Sequence, residues 1–487
     1  MYMKTILTFF ILLPLFCFSQ KQGNIWYFGD HAGLDFNSGS PIPLTNGQTY
    51  SPDPNNSVIE GTSVISDSSG VLLFYTNGTK IWNKNHQEMP NGDGLLGNFS
   101  STQSSLIVPQ PNSSQYFYVF TTSDFYYQNL QYGLRYSIVD ICLDGGLGDV
   151  IPNQKNILIL DTVCEKLTAV QHSNGIDYWI IAHKYYSDAF YSYHLSSTGI
   201  VDTIISHVGS RHPLLSLPPN ITGYAIGYLK ASPNGQKLCC VSSNGYCIAE
   251  YFDFDKSTGV VSNCVNIQPD SIYNYYGVSF SADNSKLYIA GNMNDYNIYQ
   301  YNLNAGNGNA DSVKASRTPI AIQNNNYLAL QLATDGKIYV ARGNPSTYLG
   351  AIESPNNLGL NCNYVHNAVY LNGKTASFGL PNFIVSFDYE NSDFKCLETR
   401  IEDENYNEKI SISPNPFCLQ TIIYTDKILK GATLTVFNTY GQQIKQIRNI
   451  FGQTITFQRD HLPSGLYFIS IRQNNKVITT GKLIITD

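Results

Sequence analysis

The residue patterns that could carry chemistry in this chain are few, and each is weakened by its setting. Gly92–Gly97 reads GDGLLG, the G-x-G-x-x-G spacing whose backbone N–H groups cradle a dinucleotide pyrophosphate. That use requires a strand before the glycines and a helix after them, so that the helix N-terminus meets the anion. MPN precedes and NFSSTQ follows, with no helical periodicity, so the glycines read as an inter-strand loop. Asp144–Asp149 reads DGGLGD. Carboxylates spaced by flexible glycines can wrap calcium, but the D-x-[DN]-x-[DN]-G ladder is missing and a turn is the expectation. No G-x-S-x-G is present to raise a nucleophilic serine. The 9 His occur singly, without H-E-x-x-H. His172, His183, His207, His212 and His366 fall in or near expected loops, from which they could converge. Without a C-x-x-C pair, a zinc site of that spacing is excluded. The reading is of no catalytic residue, no metal ligand set and no cofactor.

Aromatic surface is abundant instead, with 36 Tyr and 24 Phe. Trp82, Tyr126, Tyr127, Tyr132, Tyr185 and Tyr186 lie near or within the longer connections, where flat amphipathic rings suit contact with a sugar or a protein. What positions them is a repeat. LKASPNGQKLCCV (229–241) reads as strand, tight turn, strand. The same plan recurs in SVISDSSGVLLFY (63–75), LIVPQPNSSQYFYVF (106–120), AVQHSNGIDYWIIA (169–182), VSFSADNSKLYIA (278–290) and LQLATDGKIYVA (330–341). Gly or Asn at each turn supplies the positive φ that a tight hairpin demands. Further strand-like runs follow each hairpin, such as CIAEYFDFD and NIYQYNL. Four strands per repeat, at roughly 45 to 60 residues, is the pattern of a β-propeller.

Six hairpins are evident. A seventh blade is expected from the two ends of the region, NIWYFGDHAGLDFNSG (24–39) giving early strands and ASFGLPNFIVSFDY (376–389) late ones. Seven blades are predicted, with six or eight as alternatives. Turns between first and second strands are uniformly short. The long segments 85–103, 121–133, 183–191 and 206–222 all belong to the opposite face, which is therefore the expected binding surface.

Charged residues make up only 13% of the chain and the net charge is −7, with Lys and Arg scattered. Nucleic acid, which needs a basic patch, is excluded as a partner. MYMKTILTFFILLPLFCFSQ has one Lys, a short apolar run and small residues, as in a secretory signal peptide cut between Ser19 and Gln20. Lipidation at Cys17 would need a small residue before it, where Phe16 stands. No later segment is apolar enough to cross a membrane. The chain has 10 Cys; losing Cys17 leaves an odd number and so at least one free thiol. Disulfides are expected, if anywhere, between Cys142 and Cys164 or among Cys239, Cys240, Cys247 and Cys264.

FKCLETRIEDENYNEK, at 394–409, breaks the pattern, and residues 393–409 read as a linker. About seven short alternating strands then fill 410–487, with turns at Tyr440-Gly441 and Asn474-Asn475, which predicts a small β-sandwich. The boundaries are therefore 1–19 signal peptide, 20–392 propeller, 393–409 linker and 410–487 sandwich.

Two resemblances follow from these residues. NIWYFGDHAGLDFNSGSPIPL, LLFYTNGTKIWNKNHQEMPNG and VCEKLTAVQHSNGIDYWIIAHK resemble recurrent phrases of propeller domains in large secreted proteins of gliding Gram-negative bacteria. Pro414, Asn415 and Pro416, then Tyr440-Gly441-Gln442, then Leu462 through Tyr467 with Gly465, then Lys482, resemble the C-terminal sorting domain of type IX secretion substrates. The second resemblance implies export by the signal peptide, recognition by an outer-membrane translocon, and release or attachment at the cell surface. The turn SPNGQKL is similar to the inner turns of seven-bladed lactonases, a likeness that carries fold and not catalytic residues. The S-x-D-x-G-x-T-W boxes of sialidases are absent.

The leading expectation is a secreted or cell-surface propeller that binds a polysaccharide, glycoprotein or protein partner. The alternatives are a lactonase-like or glycan-cleaving enzyme, and a structural part of a surface adhesion or gliding apparatus. Two or more His, Asp or Glu at the channel mouth would favour the enzyme, and an apolar, tyrosine-lined rim would favour binding.

Overall fold

The computed structural model describes residues 21–487 apart from 51–58, 126–127, 129–130, 213–224, 244–247, 269–273, 293–295, 323–325, 344, 387–388, 390–393, 395, 397–409 and 474–475. The signal peptide, Tyr126, Tyr127, Cys247, most of the linker and the Asn474-Asn475 turn lie outside the described residues. The chain divides into two compact units, Met1–Leu397 and Glu398–Asp487. No described helix is long and apolar enough to cross a membrane.

Seven antiparallel sheets succeed one another in the first unit. Blade 1 contains Ile25–Phe28, Ala32–Asp35 and Ile42–Leu44, and blade 2 contains Ser63–Ser66, Leu72–Thr76 and Ile81–Asn83. Blade 3 begins with Ser105–Pro109 and Tyr116–Thr122, and blade 4 with Val163–Gln171 and Tyr178–Lys184. Leu229–Ala231 and Lys237–Val241 open blade 5, Asn274–Phe280 and Lys286–Asn292 open blade 6, and Tyr327–Leu332 and Ile338–Arg342 open blade 7. The first strands of successive blades lie side by side around a common axis. This is a seven-bladed β-propeller, and the six hairpins read from the sequence are its inner hairpins.

Local chemistry explains the recurring turn. Asp67 Oδ1 accepts the backbone N–H groups of Ser69 and Val71, both at 2.9 Å. Asn234 caps Gln236 N at 3.0 Å, Asp283 caps Ser285 N at 3.0 Å and Asp335 caps Lys337 N at 3.1 Å. Each short side chain thus satisfies N–H groups that the reversing backbone leaves unpaired. Gly235, at φ 70°, completes the turn of blade 5, and Asn284, at φ 65°, takes the corresponding left-handed place in blade 6.

The ring closes through the chain segment after blade 7. Residues 376–385 occupy the innermost position between blades 7 and 2. Pro381 bridges Thr62 in parallel, Ala329 N donates to Phe378 O at 3.1 Å, and Asn382 N donates to Thr62 O at 2.8 Å. The expected regular late strands are not formed. Pro381 lacks an N–H, and Gly379 packs so tightly that a Cβ there would lie 1.2 Å from Glu60 O. Trp26 seals the joint, with ring centroids 5.7 Å from Tyr339 of blade 7 and 5.9 Å from Phe383.

Three further expectations are corrected. Cys142 pairs with Cys396, 254 residues away, while Cys164, Cys239, Cys240 and Cys264 are free thiols. Neighbours such as Cys239 and Cys240 point to opposite faces of a strand. The first linker residues belong to the propeller, since Phe394 is buried against Phe117 at 4.8 Å and Cys396 is cross-linked. The segment 183–191 is not a long loop but a hairpin whose two-residue turn, Tyr185-Tyr186, joins Tyr178–Lys184 to Ser187–Ser196.

Among its described residues the second unit has five strands rather than about seven, because two are long: Ile410–Ser413, Gln420–Phe437, Gln443–Gln458, Gly465–Gln473 and Lys476–Ile485. Bulges along Gln420–Phe437 let its first part pair with Ile410–Ser413 and its last part with Gly465–Gln473. The bent strands fold, sandwich-like, over one core of Phe417, Ile423, Leu434, Phe457, Ile471 and Leu483.

Candidate functional site

The inner strands all start on one face of the ring, opposite the short turns, and their first residues bring charged groups to the axis. Glu60 precedes blade 2, Thr102 and Gln103 precede blade 3, and Glu165 and Lys166 lie at the start of blade 4. Glu165 is 1% exposed, Glu60 9%, and Lys166 and Asp124 fully buried. Thr102 donates from N and from Oγ1 to Glu165 Oε2, both at 2.8 Å, and Phe125 N donates to Oε1 at 2.8 Å. Tyr276 donates its hydroxyl to the Glu60 carboxylate. Lys166 donates to the carbonyls of Ala225 and Ile226 at 3.0 and 3.1 Å. Burial raises the pKa of Glu165 to about 7 despite its three donors. Burial, and then the charge of Glu165, hold Glu60 well above the ordinary carboxylate range. Such a pair can hold and release a proton near neutrality.

Below this layer the channel is spanned by side-chain hydrogen bonds. Gln103 donates to Leu167 O at 2.8 Å and Leu229 O at 3.1 Å, and accepts from Leu167 N and Leu229 N at 3.2 and 2.8 Å. Lys230 Nζ donates to Gln331 Oε1 at 2.7 Å and Asn382 Oδ1 at 3.0 Å. Asn382 Nδ2 reaches Leu167 O at 3.0 Å. Blades 1, 3, 4, 5 and 7 are thereby tied across the axis.

A second feature lies at the outer junction of blades 3 and 4. A groove of about 640 Å³ is lined by Tyr116, Tyr118, Tyr136 and Tyr193, with Gln110 and Gln154 among its polar groups. Tyr118 and Tyr136 have centroids 5.1 Å apart. Tyr193 donates its hydroxyl to Ile159 O at 3.1 Å, which fixes the ring. Gln110 crosses between the blades to Ser197 O at 2.7 Å. Gly199, at φ 106°, leaves room beside the Tyr118 hydroxyl, where a Cβ would sit 3.3 Å from it. The tyrosines alternate along strands, so the signal was present in the sequence as Tyr116/Tyr118 and Tyr191/Tyr193. The pairing of two blades that makes a groove was not.

The aromatic residues singled out from the sequence are dispersed. Trp82 is 5% exposed and stacks on Tyr75 at 5.4 Å, and Tyr185 is 4% exposed; both are core residues. Tyr186 is 59% exposed, in the left-handed region at φ 60°, with its ring 4.3 Å from Tyr185. Tyr132 is half-buried, and its carbonyl accepts from Arg135 Nε at 2.8 Å. Among the histidines, His183 and His212 converge, with ring centroids 4.1 Å apart and Cys164 beside them. His172 stacks on His194 on the opposite, short-turn side of blade 4, where Asp177 binds His194 Nε2 at 2.9 Å. His207 pairs with Asp188 at 2.7 Å in solvent, and His366 contacts Arg342. Asp149, at the end of DGGLGD, accepts from Asn91 N at 2.8 Å and Nδ2 at 2.6 Å and is thereby used internally.

In the second unit, Asn415 connects the motif to the last strand by donating to Lys482 O at 2.8 Å and accepting from Ile484 N at 2.7 Å. Gly441, at φ 75°, turns the chain after Asn438, whose Oδ1 caps Tyr440 N at 3.0 Å. Tyr467 donates its hydroxyl to Pro463 O at 2.8 Å. Pro414 O accepts from Thr421 Oγ1 at 2.6 Å. Pro416 lies exposed beside this clasp, and Gly465 opens its strand.

Residues 411–486 match the family described as the secretion system C-terminal sorting domain. The chain therefore ends in a type IX sorting domain. No curated protein matches the chain. Among solved structures, it is similar to the β-propeller domain of Swd1 from Myceliophteria thermophila, at 10% identity and a TM-score of 0.37, over 66% of this chain and 93% of that one. It is also similar to the periplasmic gluconolactonase of Pseudomonas aeruginosa, at 13% identity and a TM-score of 0.35, over 82% and 98% of the two chains. For the Dos1 propeller the identity is 9%, the TM-score 0.39, and the shares 73% and 85%.

Proposed function

We propose that this type IX cargo is a binding module, exported through an N-terminal signal peptide and displayed at or released from the cell surface. Its ligand is a polysaccharide, glycoprotein or protein partner. The observation that carries this reading is the groove of four tyrosines between blades 3 and 4. Rings held by packing, and in Tyr193 by a hydroxyl bond, offer apolar faces beside polar edges, the chemistry that sugars and protein side chains both accept. Tyr186, exposed on its hairpin tip, is a second contact on the elaborated face. The test is retention of a panel of polysaccharides and glycoproteins by the purified protein, with the chain length of bound material measured afterwards. Intact ligand, held at least about thirtyfold more weakly by Tyr116→Ala with Tyr136→Ala, supports the reading, since aromatic anchors typically contribute more than about 1 kcal/mol each. Retention unchanged by that pair rules out the groove.

A propeller hydrolase is the second reading, favoured by the Glu60–Glu165 pair at the axial mouth. The composition suits general acid–base work, but both carboxylates are buried and already occupied by internal donors. Shortened ligand, with shortening lost in Glu165→Gln, would establish it.

A further inference from the structure

Cys164, His183 and His212 come from three strands of blade 4 and meet under its elaborated face. Cys164 is the second residue of the first strand, His183 the last but one of the second, and His212 ends Gly199–His212, the fourth. Their exposures are 0%, 1% and 1%. Cys164 Sγ lies 3.8 Å from His183 Nδ1, the imidazoles stack at 4.1 Å with 23° between planes, and one ligand atom from each residue falls within 4.8 Å of the others. Bonds of about 2.3 Å to sulfur and about 2.0 Å to nitrogen place tetrahedral neighbours about 3.5 Å apart. The Cys164–His183 pair is close to that spacing, and no separation within the trio exceeds it by more than about 1.3 Å.

We propose that this trio is a metal site for a borderline-soft d¹⁰ cation, of which Zn²⁺ is the natural probe. One thiolate with two imidazoles selects zinc or cuprous copper over the hard cations that carboxylates prefer. Burial, followed by the charge of Lys166, lowers the pKa of His183 to about 3, so its ring is a neutral ligand throughout the ordinary pH range. The Lys184 carbonyl also lies 3.0 Å from Nδ1, so ligation through this nitrogen must release that contact and leave the ring proton on Nε2. Burial holds the Cys164 thiol up at about 12. Binding must therefore displace that proton to solvent, forming one metal–sulfur bond as the S–H bond breaks. Lys166 opposes the cation, and the thiolate formed, with Glu165 next along the strand, offsets it. The ion would clip the first, second and fourth strands of blade 4 together, leaving one coordination position for a fourth donor.

The test uses the full chain after chelator treatment. The expected result is one equivalent of Zn²⁺ bound, a rise in melting temperature with added Zn²⁺, and a thiolate-to-cobalt charge-transfer band when Co²⁺ replaces it. Cys164→Ser and His212→Gln should each weaken binding at least about a hundredfold, beyond what loss of an outer-sphere partner gives. Cys240→Ser should leave it unchanged. Chelator-treated variants are compared with chelator-treated wild type by melting, so that loss of fold is separated from loss of ligand. Should a variant not fold, the wild-type cobalt spectrum decides alone. Absence of the thiolate band, stoichiometry below one, or binding that survives Cys164→Ser overturns the proposal.

Discussion

Lys230 is the group whose removal the structure makes most predictable. It is 2% exposed, its ammonium donates to the amides of Gln331 and Asn382 and faces the ring of Tyr228 at 5.5 Å, and among the described residues no carboxylate is bonded to it. Burial lowers its pKa from the ordinary 10.5 to about 7. The folded chain therefore holds this proton more weakly than the unfolded chain does. Between pH 7 and 10.5 the unfolded state binds more protons, so stability from this group rises with pH across that window and is flat below it. At about 1.4 kcal/mol per pH unit, the whole interval amounts to about 5 kcal/mol, and the stretch from pH 7.5 to 9.0 to about 2 kcal/mol. Lys230→Met removes the titration and replaces an ammonium by an apolar chain of similar length. It also leaves Gln331 without its lysine donor, an offset that does not depend on pH. The assay is urea unfolding at a series of pH values, followed by tryptophan fluorescence. All 3 Trp, at positions 26, 82 and 179, lie in the propeller, so the signal reports that unit alone. The wild-type minus variant stability should be constant below about pH 7 and climb by about 2 kcal/mol from pH 7.5 to 9.0. Parallel curves over that range would refute the reasoning, because they would mean that the lysine reaches water in the folded state.

Other expectations follow from single contacts. Gln103→Leu strips four backbone groups of their axial partner and should destabilise the propeller by about 3 kcal/mol in the same unfolding assay. Cys396→Ser opens a 254-residue loop and should lower stability by up to about 5 kcal/mol under non-reducing conditions, a difference that disappears with reductant. Gly235→Ala forces a side chain into φ 70° and against Val170 Cγ1 at 2.6 Å; a loss of about 1–2 kcal/mol in urea is expected. Asn415→Ala breaks both bonds to the last strand and should reduce the secreted fraction of the protein, measured by immunoblot of medium and cells, without changing propeller stability.

The inner hairpins were legible because their signal is local: a short polar side chain and a residue tolerant of positive φ, repeated at each turn. The sorting unit was legible through the order of its short motifs, of which Asn415 and Lys482 meet in the fold. Burial of Trp82 and Tyr185 was not, because a blade is covered on both faces and its strands lose the alternation that separates inside from outside. The acidic and basic residues at the axis were visible in VCEKLTAV and LKA as charges set within apolar strands, yet only the ring shows that they converge. The Cys142–Cys396 pair, at 254 residues' separation, leaves no trace in local sequence. His183 and His212 were named among residues able to converge, and 29 residues separate them in the chain; Cys164 was not placed with them.

The way the ring is fastened sets an order of events. Blade 1 draws its outer strands from residues 25–44 and its innermost segment from 376–385, so a chain emerging N-terminus first carries an open circle until nearly 400 residues are out. The clasp at Cys396 then forms last, at the boundary with the sorting unit. A single cut beyond that cysteine severs the address and leaves a closed, cross-linked disc. Truncation only a few residues earlier removes the clasp, and truncation before 376 removes the innermost segment that makes the circle complete.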